Sequence, residues 1–118
     1  SQLNKSGEII FFGASHMLNT FLNVYSLKRY SDYIIDENPQ KINKFFSESD
    51  SKIMSLDKIK NKNIKKIIFF ISCNMSVEDK IIRKLKTLNK KVLFFSIFPL
   101  SKNYFFKKKL HYENKKTK

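Results

Sequence analysis

The run Glu8–Phe12 (EIIFF) is almost wholly apolar, lacks any polar alternation, and stops at Gly13. A strand exposed on one face alternates apolar and polar residues; an unbroken run is the mark of a strand covered on both faces. Such a strand belongs to a sheet sandwiched between helices, and this restricts the fold more than any other feature. The residues after Gly13 agree. Ser15 is suited to cap a helix, and Met17, Leu18, Phe21, Leu22 and Tyr25 fall on one helical stripe. Lys28 and Arg29 sit where cations favour a helix C-terminus.

The pattern then repeats. Tyr33–Asp36 reads as a second short strand, turned by Glu37-Asn38-Pro39. Residues 40–53 have weak periodicity and read as a long excursion over the sheet edge, with Phe45 and Phe46 its only bulky apolar pair. Ser55 can cap a short helix running to Lys60. Lys65–Ser72 (KKIIFFIS) is a strand, and Ser76 opens a helix with Asp79 placed as in a capping box. Ile81, Ile82, Leu85 and Leu88 form that helix's buried stripe, and Val92–Phe98 is a further strand stopped by Pro99. Strands alternating with helices predict an α/β fold: a small Rossmann-like three-layer domain with a mostly parallel sheet of about four to five strands, the first strand central. The domain is expected over residues 8–105, after a frayed polar stretch 1–7 and before a basic tail 106–118.

Charge narrows the function classes. The chain has 118 residues and a formal net charge of +14. Residues 1–101 hold 17 basic and 9 acidic side chains, and residues 102–118 hold 7 and 1. Only Arg29 and Arg83 are arginines, the residue suited to bidentate reading of bases and phosphates. Dispersed solvated lysines are therefore expected, and nucleic acid is not an expected partner. A polyanion-binding role through the tail is the competing reading, and it would be steeply salt-dependent. No apolar run approaches membrane-spanning length, no leader pattern opens the chain, and Cys73 is the single cysteine. A cytoplasmic protein without a metal site or disulfide is expected.

Chemistry-bearing residues gather at two turns. Gly13, Ala14, Ser15 and His16 join a strand to a helix, where a glycine permits a tight turn and helix N–H groups favour an anion. Asp36 follows Gly13 by 23 residues, close to where a dinucleotide fold places its ribose-binding acid. Asn19 is near enough to the turn to reach a ligand. The full dinucleotide fingerprint has three glycines, and here Ser15 and Leu18 hold the later positions. His16 has no nucleophile or carboxylate paired with it in sequence, and no catalytic residue is assigned.

These same residues carry a resemblance. FGASHMLNTFLN, then DYIIDENPQKINKFF, then the strand-helix-strand ending in FSIFP, resemble the C-terminal domain of sugar C-methyltransferases. In that family the domain opens with a strand and a Gly-Ala-Gly or Gly-Ala-Ser turn, has an Asn inside the first helix, and carries a VDDNP-x-K-x-G element at the end of the second strand. Gly13, Ala14 and Ser15 match the turn, and Asn19 or Asn23 the helix position. Ile35, Asp36, Glu37, Asn38, Pro39 and Lys41 match the second element. Glu37 replaces the second Asp, Asn43 stands where the element ends in Gly, and Phe45-Phe46-Ser47-Glu48-Ser49 departs from the family's following loop. The resemblance implies an accessory domain that packs on a catalytic domain absent from this chain, which would carry the S-adenosylmethionine. It also implies that Gly13, Ala14, Ser15, His16, Asn19, Asp36, Asn38 and Pro39 line the edge facing a nucleotide-sugar or similar substrate. A stand-alone nucleotide- or CoA-binding module is the alternative.

Overall fold

The computed structural model describes residues 7–31, 33–46 and 51–104. The predicted basic tail 106–118 and most of the predicted frayed stretch lie outside these. Five parallel strands form one sheet: β1 (Glu8–Phe12), β2 (Ile34–Ile35), β3 (Ile53–Met54), β4 (Lys66–Ile71) and β5 (Lys91–Ser96). Their spatial order is β3-β2-β1-β4-β5, so β1 is central, as predicted. Phe11 lies in register with Ile34 on one side and Phe70 on the other.

Alternate residues of the apolar strands serve two cores. Ile9, Phe11, Ile34, Ile68 and Phe70 pack with Leu18, Phe21 and Leu22 of helix α1 (His16–Val24). Ile10, Phe12, Ile35, Ile67 and Phe69 pack on the opposite face with α2 (Leu56–Lys60) and α3 (Glu78–Leu85), through Leu56, Ile59 and Leu85. The uniform hydrophobicity of Glu8–Phe12 therefore has its cause in two covered faces. Each fully buried Ile or Phe contributes about 1.5–3 kcal/mol of burial.

Several local expectations give way to the structure. β3 arises within the stretch read as an excursion, because Ile53 and Met54 pair with Ile34 and Ile35. Helix α1 ends at Val24, since Ser26 takes a left-handed φ of 54°; Lys28 and Arg29 fall in a separate 3-10 turn, Lys28–Tyr30. Met17 and Tyr25, at the two ends of the short helix, overhang the core and are exposed. Ser76 and Asp79 form no capping box. Instead Asn74 Oδ1 accepts from Ser76 N at 3.0 Å, a 3-10 turn spans Met75–Val77, and α3 begins at Glu78. Ser55 precedes α2 in extended backbone without a side-chain cap bond.

The topology also sorts the charge. Helices return antiparallel to the strands, so the helix C-termini and the strand starts share one end of the molecule. Lys62, Lys65, Lys66, Lys86, Lys90 and Lys91 collect there, where cations offset the carbonyl ends of helices. The opposite end, where the strands finish, mixes Asp36, Glu37, Glu78 and Asp79 with Lys41, Lys44 and Lys102. Among the described residues no helix is long and apolar enough to cross a membrane.

Candidate functional site at the C-terminal edge of the sheet

Open α/β sheets bind ligands outside the carboxyl ends of their strands. Here the turn after β1 meets the turn after β2. Gly13 has φ of 111°, and a Cβ on it would stand 2.7 Å from Cys73 Sγ and 2.9 Å from Cys73 N. Glycine is thus required both by the backbone and by the close approach of the β4 end. Ser72 Oγ donates to the carbonyls of Phe12 and Gly13, fastening the same junction from beneath. Ser15 caps α1 by accepting from Leu18 N at 3.1 Å, as predicted, and its hydroxyl donates to Ser72 O at 3.2 Å.

Asp36 ties the two turns together. Its Oδ2 accepts from Ala14 N and its Oδ1 from Asn38 N, both at 2.9 Å. Lys41 Nζ donates to Ala14 O at 2.9 Å and stands 3.8 Å from Asp36 Oδ2. Asn38 Oδ1 accepts from Gln40 N at 3.0 Å, and Glu37 is ion-paired with Lys84 of α3. The chain then folds back: Asn43 N donates to Ile53 O at 2.7 Å, and Phe45 pairs antiparallel with Lys52. Asn43 has a left-handed φ of 71°. Asn tolerates that conformation better than most side chains, and this explains how it stands where the resembling element has Gly.

Between these segments lies an open cleft of about 450 Å³. The turn and α1 contribute Ala14, Ser15, His16 and Asn19; the folded-back segment contributes Lys41, Lys44, Phe45, Phe46 and Ile53. Four of the residues predicted for a site therefore share one cavity. Gly13 and Asp36 stand behind it as supports, and Asn38 and Pro39 are exposed on the neighbouring turn. Sequence reasoning does not single out Lys44, Phe45 and Phe46 for a site; the signal that marks them is the long-range pairing of residues 43–46 with 51–53. Asn23, four residues beyond Asn19, borders a separate hollow of about 460 Å³ with Lys28 and Arg29, at the carbonyl end of α1, where anions are disfavoured.

Cys73 borders the turn. Burial foremost, then the nearby Asp36 and Glu37 carboxylates, push its thiol up to about 12. It remains protonated at neutral pH and is no nucleophile there. Among the described residues no cluster of His, Cys, Asp or Glu could hold a metal ion. Comparison with curated proteins gave no significant match. A family model for the C-methyltransferase C-terminal domain matches residues 1–99. The opening strand, the glycine turn and the Asp-Glu-Asn-Pro turn all fall inside that match, and the chain belongs to the family of C-methyltransferase C-terminal domains.

Proposed function

We propose that this chain is the accessory, C-terminal part of an S-adenosylmethionine-dependent C-methyltransferase. It packs on a catalytic domain and supplies one wall of a cleft for a nucleotide-sugar or similar substrate. The single observation that carries the reading is the convergence of Ala14, Ser15, His16 and Asn19 on one cavity at the carboxyl edge of the sheet, in a chain of this family. The methyl donor is assigned to the catalytic domain. The β1–α1 turn has one glycine, and its Gly13, Ala14 and Ser15 amides donate to Ile35 O, Asp36 Oδ2 and Gly13 O. A turn so occupied is a poor seat for a large cofactor.

The role of this chain is then to hold and orient substrate while the partner domain performs the transfer. The test is methyl transfer to a nucleotide-sugar by the parent catalytic domain, assayed with and without this chain. Activity is expected to need the chain, chiefly through a lower KM for the sugar substrate. Equal activity in its absence would remove the reading.

A further inference from the structure

Two lysine-rich stretches far apart in sequence meet at the strand starts. Lys62, Lys65 and Lys66 lead into β4, and Lys90 and Lys91 lead into β5. Parallel pairing sets Lys66 beside Lys91 in register, and Lys91 N donates to Lys65 O at 2.9 Å. Lys90 Nζ donates to Lys62 O and Ile64 O, both at 2.8 Å. The five lysines thus form one block, where the sequence alone leads one to expect dispersed charge. Lys65, Lys66 and Lys91 are exposed.

None of the five forms an ion pair among the described residues. Glu8, the acid that opens β1, is in register with Ile67 and falls on the sheet face of Ile10. Lys66 falls on the other face, with Ile68. Like charges side by side on neighbouring strands destabilise a sheet. Lys66 and Lys91 are strand residues, so the usual service of cations at helix carbonyl ends does not explain them. An arrangement that weakens the fold and makes no compensating pair within it points to a partner outside it.

The chemistry of the block narrows that partner. At the far end Asp36, Glu37 and Asp79 are paired with Lys41, Lys84 and Lys102. A second copy of this chain, itself at +14, therefore offers no unpaired acidic cluster among its described residues. Lysine is a hydrated point charge, whereas arginine is the residue suited to forked recognition of phosphates. The rings of Tyr33 and Tyr30 are covered by Lys62 Nζ at 5.5 Å and by the Arg29 guanidinium at 4.9 Å. They give no open platform on which bases could stack. These features favour carboxylates on a protein over a nucleic acid.

We infer that the strand-start end is a docking surface for an acidic protein segment, held by Lys65, Lys66 and Lys91. It lies across the sheet from the cleft, so it stays open when a catalytic domain sits on the carboxyl edge. The inference goes beyond the accessory-domain reading and does not depend on it.

Fluorescence anisotropy of this chain with a labelled oligoglutamate peptide at low salt tests it, with a DNA duplex of matched charge as the competing probe. Saturable, salt-sensitive binding of the peptide is expected. Lys66→Gln combined with Lys91→Gln is expected to weaken it about tenfold, roughly the worth of two charged contacts. The same double variant should melt about 2 °C higher, because the like-charge pair is gone. Lys80→Gln combined with Lys102→Gln removes equal charge at the far end and should leave peptide affinity nearly unchanged. Absence of peptide binding, equal losses in both double variants, or tighter binding of the duplex than of the peptide overturns the inference. A lower melting temperature for Lys66→Gln with Lys91→Gln also overturns it, since the two lysines would then be holding the fold.

Discussion

Asp36 Oδ2 accepts from the Ala14 amide at 2.9 Å across 22 residues of sequence. That bond joins the two turns that the resemblance to a methyltransferase domain picks out separately. The same carboxylate accepts from Asn38 N and faces Lys41, so it orders the edge of the sheet as a unit. Asp36→Ala is expected to destabilise the chain by about 2 kcal/mol, and Asp36→Asn, which keeps one acceptor oxygen, by about 1 kcal/mol. Urea unfolding midpoints measure both, and equal midpoints for Asp36→Ala and wild type would show that the link holds nothing.

Gly13 tolerates no side chain. Its φ is 111°, and backbone atoms of Ser72 and Cys73 would lie within 3.0 Å of an added Cβ. Gly13→Ala therefore combines backbone strain with overpacking, roughly 3 kcal/mol in all. Because backbone atoms of the β4 end crowd the site, adding Cys73→Ala should recover only a minor part. Full recovery in the double variant would assign the crowding to the thiol alone.

Glu78 is 4% exposed, and its carboxylate accepts from Ser96 Oγ and Ser101 Oγ at 2.6 Å each. Asn103 Nδ2 approaches at 3.4 Å. One acid at the start of α3 thus holds the segment that follows β5. Glu78→Ala is expected to cost about 3 kcal/mol and to speed proteolytic cleavage within residues 97–104. Unchanged cleavage would mean that the segment is held by other contacts.

The Cys73 thiol titrates upward on folding, from 9.0 to about 12, because it is buried and faces Asp36 and Glu37. The folded state then holds its proton more tightly than the unfolded state. Its contribution to stability is complete below pH 9 and is lost as pH rises from 9 toward 12. Cys73→Ala should therefore flatten the alkaline fall in thermal stability relative to wild type. Native Cys73 should also react slowly with a thiol reagent at about pH 8, and quickly in urea. Rapid native labelling would contradict the burial argument.

The parts of this fold legible in sequence are those where local pattern and tertiary burial coincide. β1 and β4 are unbroken apolar runs because both faces are covered, and α1 carries its stripe and its Ser15 cap within the sequence itself. β3 is hidden from sequence because Ile53 and Met54 become strand only by pairing with Ile34 and Ile35; nothing local distinguishes two apolar residues in a polar stretch. The start of α3 escapes a capping-box reading because Glu78 is turned inward toward Ser96 and Ser101, while Asn74 takes the capping role one turn earlier. In the cleft, Ala14, Ser15, His16 and Asn19 follow from the strand-turn-helix pattern. Lys44 and Phe45 do not, since their place depends on residues 43–46 folding back on 51–53.

The most direct measurement is a calorimetric titration of this chain alone with S-adenosylmethionine. If the methyl donor binds the catalytic domain, as proposed, this chain shows no saturable binding up to millimolar ligand. Saturable, stoichiometric binding by this chain would contradict the proposal.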